Sequence, residues 1–420
     1  MSRSLTGLYV MAVLTALGPN AATAQGEPPD TLRLADAVRT ALASNPMLQA
    51  VQAGARAAGE RVGPAGAWPE PELQLGLMNR MASDFGATAD PMTMDQLQLM
   101  QMLPWPGKLG NARRAARHRA TAAVADTEEQ ARMLGADVRM AYYDLAAMDR
   151  SLDVMARTLR LLQDLTEVTT AMYSVGSSIQ QDVLRADVEV ARMTEEIARM
   201  RQERVAAAAR LNALLGRDAT VAVPAVELPE VDRELPTADS LVSLAQANRP
   251  ALKSGTERVA SAEAGLAAVR REIFPDLTVG LAYQRRPAFD DMLSLMLGVT
   301  LPLFAGARQL PMRREMAAMR DMAQAELQAT RTETVARVVE LRARAERDRN
   351  LARLYRTRIL PQARASVEAA ISSYRVGRVP FMTLVDNQMT VNRYEIETYR
   401  LVADFHQAVG ELEAMTGELP

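Results

Sequence analysis

The chain repeats itself, and that duplication limits its folds more than any other feature of its 420 residues. Leu42-Ala43-Ser44-Asn45-Pro46 returns as Ala245-Gln246-Ala247-Asn248-Arg249-Pro250. Pro71-Glu72-Leu73-Gln74-Leu75-Gly76-Leu77 returns 204 positions later as Pro275-Asp276-Leu277-Thr278-Val279-Gly280-Leu281. Tyr173-Ser174-Val175-Gly176 and Leu211-Asn212-Ala213-Leu214-Leu215-Gly216 both return after 201 positions, as Tyr374-Arg375-Val376-Gly377 and Leu412-Glu413-Ala414-Met415-Thr416-Gly417. Landmarks in one order at a nearly constant offset mean two copies of one structural unit. Pro224, Pro229 and Pro236 interrupt residues 219–236, which read as the joint between a first repeat (25–218) and a second (237–420).

Each unit is expected to run helix, two short strands, very long helix, turn, helix. The spacing predicts helices over 34–63, 108–172 and 179–215 and strands over 71–79 and 92–103. Their second copies fall at 238–271, 307–373 and 381–416, with strands at 276–285 and 291–303. In the first long helix Val138, Tyr142, Leu145, Leu152, Met155, Leu159 and Leu162 lie on one seam, the spacing of a coiled coil. A helix of about 65 residues is roughly 100 Å long. The two shorter helices stacked end to end would match it, so one unit could build a wall of even height. The fold class is mainly α with a small β part.

The strands alternate. Leu73, Leu75 and Leu77 oppose Gln74, Gly76 and Met78; Leu97, Leu99 and Leu103 oppose Gln96, Gln98, Met100 and Met102. Leu293, Leu295, Leu297, Val299 and Leu301 oppose Ser294, Met296, Gly298 and Thr300. Period two over about ten residues suits a membrane barrel with apolar side chains outward, and it suits a soluble sheet packed on one face equally well. Trp68 and Trp105 flank the first strand pair at one end, and Phe274 and Phe304 the second, which reads as an interfacial aromatic girdle. About four strands cannot close a barrel, since the smallest have about eight. Open edges are not tolerated in lipid, so membrane strands here would require an oligomer.

Composition removes other classes. Arg3, the apolar stretch from Leu5 to Leu17 and Ala22-Thr23-Ala24 read as an export signal over 1–24, with the mature chain starting at Gln25. No stretch is long enough for a transmembrane helix, which needs about 20 apolar residues. The chain has no cysteine, which excludes disulfides, thiolate metal sites and lipid attachment at an N-terminal cysteine. A net charge of −2 gives no reason to expect nucleic acid as a partner. His118 and His406 are the only histidines; no phosphate-cradling, zinc or nucleophile-elbow motif accompanies them, so neither an enzyme nor a cofactor is expected. His118, among Arg113, Arg114, Arg117 and Arg119, reads as part of a solvated basic face.

The duplication, the strand pairs, the long helices and the Tyr-x-Val-Gly turns together resemble the TolC-type outer-membrane efflux family over the whole mature chain. The resemblance implies a homotrimer in the outer membrane of a Gram-negative bacterium. Four transmembrane strands per chain would join in one barrel, and the long helices would form an α-barrel through the periplasm. It implies a periplasmic adaptor and an inner-membrane pump as partners. By alignment from Gly176, Asp182 falls where the family carries an acidic gate residue; from Gly377, Tyr374 and Asp386 match a gate tyrosine and aspartate. The family's gate arginine position is Val379 here, with Arg378 one place earlier. Symmetry-related carboxylates around one axis would form a cation-attracting ring, while as single residues Asp182 and Asp386 read as ordinary acids in first helical turns. Gly176 and Gly377 are expected to supply a positive φ at tight helix–helix turns.

The methionines bear on cargo. Met78, Met94, Met100, Met102 and Met296 fall on the strand faces opposite the leucines. Thioethers favour Cu(I) and, by the same softness, Ag(I), yet methionine is also an adaptable filler and this chain has 25. The segment Leu103-Pro104-Trp105-Pro106-Gly107-Lys108-Leu109 resembles the heavy-metal branch of the family. The expected function is a passive duct of a tripartite efflux system, for copper or silver or other heavy metals. A drug or protein-secretion duct of the same fold, or an exported structural coiled-coil protein, are the alternatives.

Overall fold

A computed structural model describes residues 31–82, 90–231 and 233–417, so the expected export signal lies outside the described residues. Proline decides where the shorter helices break. Helices α1 (Leu34–Ser44) and α2 (Pro46–Glu60) replace the single helix expected over 34–63. Pro46 disfavours the α conformation at the residue before it, and Asn45 takes extended backbone with φ −66° and ψ 120°. Its side-chain oxygen accepts the Leu48 N–H at 3.1 Å, capping α2. After a short α3 (Val62–Ala65), the antiparallel strands β2 (Glu72–Met78) and β3 (Met94–Leu103) form the first hairpin.

Helix α4 (Lys108–Ser174) then runs 67 residues without a break, about 100 Å, and α5 (Gln180–Leu214) returns beside it. The strand β4 (Ala225–Val226), in the joint, pairs in parallel with β1 (Thr31–Leu32). The second half follows with α6 (Ala238–Asn248), α7 (Pro250–Arg271), β5 (Asp276–Arg285), β6 (Met292–Thr300) and α8 (Gln309–Leu354). A π-helical turn over Tyr355–Ile359 precedes α9 (Leu360–Arg375) and α10 (Phe381–Thr416). The helix expected as one piece over 307–373 is thus interrupted. Pro361 has no N–H to give the Thr357 carbonyl and its ring would collide with it, and the wider π turn relieves that conflict.

The end-to-end stacking has a specific chemistry. Asn45 Nδ2 donates to the Leu214 carbonyl at 2.9 Å and Ser44 Oγ donates to that of Leu215 at 2.8 Å. In the second half Asn248 Nδ2 donates to the Thr416 carbonyl at 2.9 Å. The corner between α1 and α2 therefore caps the end of α5, and the corner between α6 and α7 caps the end of α10. Two of the repeated sequence landmarks are the two sides of one joint.

The α4 seam divides between two cores. Val138, Tyr142 and Leu145 pack with Ala37, Ala41, Leu211 and Val226. Met155 and Leu162 pack with Met193, Tyr374, Phe381 and Leu384, with Leu152 and Leu159 half-buried at the margin. Because this second cluster holds residues next to both Tyr-x-Val-Gly turns, the two helical hairpins lie side by side with their tips at one end. Among the described residues no helix is long and apolar enough to cross a membrane.

Candidate functional site

The two hairpins join in one sheet, ordered β2-β3-β5-β6, with β2 and β6 at its edges. Register sorts the side chains by face. Leu75, Leu97, Tyr283 and Leu293 make one cross-strand row, and Leu73, Leu99, Leu281 and Leu295 the next. These residues stand free in the single chain: Leu75 is 82% exposed and Leu295 68%. So broad an apolar face is foreign to a water-exposed surface and demands a cover. The other face carries rows such as Gln74, Gln98, Ala282 and Ser294.

All five candidate methionines lie on this second face. Met78 pairs with Met94, Met102 with Thr278, and Met100 and Met296 flank Gly280 from either side. A Cβ on Gly280 would lie 3.3 Å from Met296 Cε and 3.4 Å from Met100 Cγ, so the two thioether side chains close over β5 at this glycine. Gln98 Nε2 sits 4.0 Å from Met296 Sδ. Among the described residues no group of three or more histidines and carboxylates could hold a metal ion.

At the helical end of the sheet Trp105 stacks on Phe274 with centroids 5.3 Å apart. Trp68 and Phe304 are exposed. Beside Phe274 and Phe304 sits a buried cation that the sequence reading missed. Lys108 Nζ lies 2.9 Å from Asp276 and 3.4 Å from Glu272, and Asp276 also accepts the Trp105 N–H at 2.8 Å. This knot ties the start of α4 to the start of β5. The one signal for it in the sequence is a lysine directly after Pro-Gly in an otherwise uncharged segment.

The tips take the form glycine permits. Gly176 and Gly377 have φ of +74° and +71°. Each turn closes with paired bonds: the Ser177 N–H donates to Met172 and the Gly176 N–H to Tyr173, and Arg378 and Gly377 donate likewise to Ser373 and Tyr374. Asp182 is half-buried and accepts from Ser178 Oγ at 3.3 Å. Asp386 is exposed in a groove with Glu189, Arg192 and Arg393, and Arg378 is exposed at the turn. Tyr374 is buried against Phe381, its hydroxyl without a hydrogen-bond partner among the described residues.

The histidines hold elements together. His118 Nδ1 lies 2.7 Å from Glu257 Oε2, joining α4 to α7, so it belongs to a contact rather than to a solvated basic face. His406 stacks on Tyr143 at 4.9 Å, and its Nε2–H donates to the Pro229 carbonyl at 3.1 Å, fastening the joint to α10. Burial holds its pKa below the ordinary value, with the bonds to Pro229 and Glu230 opposing. Burial also pushes the Asp348 carboxyl up, against the pull of Arg347 at 2.7 Å.

The sequence profile described as "Outer membrane efflux protein" matches residues 37–217 and 241–418. The pyoverdine export outer membrane protein OpmQ of Pseudomonas putida is 24% identical over 90% of this chain and 80% of its own length. Among solved structures, VceC of Vibrio cholerae superposes with a TM-score of 0.78 at 18% identity, covering 92% of this chain and 97% of that one. CusC gives 0.79 at 17% identity, with 92% of each chain covered. OprN gives 0.77 at 20% identity, with 91% of this chain and 89% of that one covered.

Proposed function

The chain belongs to the outer membrane efflux protein family, and from that premise we propose that three copies form one passive duct, the outer-membrane member of a tripartite efflux system. The protein is an outer-membrane efflux channel and not an enzyme. The observation that carries the assembly of several copies is the sheet: four strands with a leucine face and both edges open. Open edges cannot stand in lipid, and neighbouring copies are the partners that would pair them. A periplasmic adaptor and an inner-membrane pump complete the assembly, the pump supplying the energy. The two repeats, joined through 219–236, would each contribute one helical hairpin to the wall.

In this reading the tips form the periplasmic constriction. Asp182 and Asp386 from each copy would surround the axis, with Gly176, Gly377, Tyr374 and Arg378 shaping the turns. Conductance of the purified protein in planar bilayers tests it: Asp182→Asn with Asp386→Asn should lower cation over anion selectivity, and unchanged selectivity would remove both residues from the gate.

For cargo, the methionine face supports Cu(I) or Ag(I) in transit, soft ions that thioethers bind without holding. A second reading, export of pyoverdine or an organic drug, is favoured by the likeness to the pyoverdine exporter. Growth of a deletion strain over copper, silver, dyes and chelators, with plasmid rescue, separates them. Selective copper and silver sensitivity supports the first; sensitivity to organic compounds with normal metal tolerance leaves the methionines as packing.

A further inference from the structure

Exposed arginines gather at the helical end of the sheet. Arg113 and Arg117 at the start of α4, and Arg308, Arg313 and Arg314 at the start of α8, are exposed, and none has an ion-pair partner among the described residues. Along the chain no acidic residue lies between Asp95 and Asp126 or between Asp291 and Glu315. Both helices also lack an acid in the first turn. A helix N-terminus favours negative charge, and neither helix supplies it from its own first turn.

Their position says what supplies it. A Cβ on Gly66 would lie 2.8 Å from Arg113 Cβ, so this arginine packs at the segment leading into Trp68. Arg271 lies over the ring of Phe274, which stacks on Trp105. Arg308 follows exposed Leu301, Leu303 and Phe304. The basic residues thus form a band immediately beyond the apolar face and its aromatics, on the helical side, at the height where a bilayer presents its phosphates.

We propose that this band is a binding site for anionic phospholipid headgroups of the periplasmic leaflet, with guanidinium groups of α4 and α8 forking onto lipid phosphate. It rests on the reading that the leucine face lies in lipid. Local enrichment of anionic lipid would follow, and with it a fixed depth of the sheet in the membrane.

The chain's two tryptophans, Trp68 and Trp105, both sit at this band and report its lipid composition. The full-length protein would be reconstituted in phosphatidylcholine vesicles carrying brominated phosphatidylglycerol or brominated phosphatidylcholine at equal mole fraction, and fluorescence quenching measured. Roughly threefold or greater preference for phosphatidylglycerol is expected. It should be lost in R113Q/R117Q/R313Q/R314Q and kept when the same four are lysine, with helix content and oligomer size checked for each. Equal quenching by both lipids in the unaltered protein overturns the proposal, as does a preference that survives the glutamine variant. No quenching by either lipid would instead sink the placement of the sheet in lipid.

Discussion

Glycine does two different jobs at the ends of these helices, and the difference can be measured. At Gly216, φ is +65° and an added Cβ would lie 2.5 Å from the Ser44 carbonyl oxygen. At Gly176, φ is +74° and nothing lies within 4 Å. Gly176→Ala should cost only the backbone penalty, about 1–2 kcal/mol, while Gly216→Ala should cost at least about 3 kcal/mol because backbone must move as well. Denaturant midpoints of the two variants check the order, and equal midpoints would contradict it. His406 gives a pH prediction. Its folded-state pKa lies below the unfolded value of 6.5, so below pH 6.5 the unfolded chain takes up a proton that the folded chain resists. Its contribution to stability is present above 6.5 and is lost as pH falls through the depressed folded value. Asp144 and Asp348, raised by burial, act oppositely at lower pH: their contributions are present below 3.8 and lost as pH rises through the folded values. Melting temperature should fall between pH 7.5 and 5.5, and His406→Asn should flatten that fall.

Among elements, the strand–helix junction is the most exposed to a single change. Asp276 holds the buried Lys108 ammonium and the Trp105 N–H together. Asp276→Ala leaves the cation with only Glu272 at 3.4 Å and should destabilise by about 3 kcal/mol. Lys108→Met in the same chain should recover part of this, since the unpaired charge is gone. Heat denaturation of the oligomer on gels reads both; no recovery in the double variant would argue that Lys108 contributes by packing alone. Which junction residues pair could not be read in advance. The sequence shows a lysine after Pro-Gly and an aspartate 168 positions away, and only the meeting of β3 with β5 brings them together. The proline breaks at Pro46 and Pro250 were visible as letters, yet the helices were expected to run through them. The π turn before Pro361 shows the same physics resolved without a break.

For the whole molecule, the two faces of the sheet should differ in what they tolerate. Leu295→Arg, on the leucine face, should cost about 2–4 kcal/mol in lipid and reduce assembly in the membrane. Gln98→Arg, on the opposite face, should assemble and change conductance instead. Outer-membrane fractionation and chemical cross-linking read the outcome. Equal assembly of both variants would mean that the leucine face is covered by protein rather than by lipid.

The sequence by itself determined the duplicated order of elements, the strand faces and the positive-φ turns, because each follows from local periodicity and from what glycine or proline allows at one position. The family likeness followed from the same landmarks. Tertiary structure alone decided that Asn45 and Asn248 cap the ends of distant helices, that Lys108 meets Asp276, and that Met100 and Met296 close over Gly280. Each of these contacts joins segments roughly 170 to 200 residues apart in the chain. Such pairs are set by how helices and strands stack, through loop closures that no local pattern encodes.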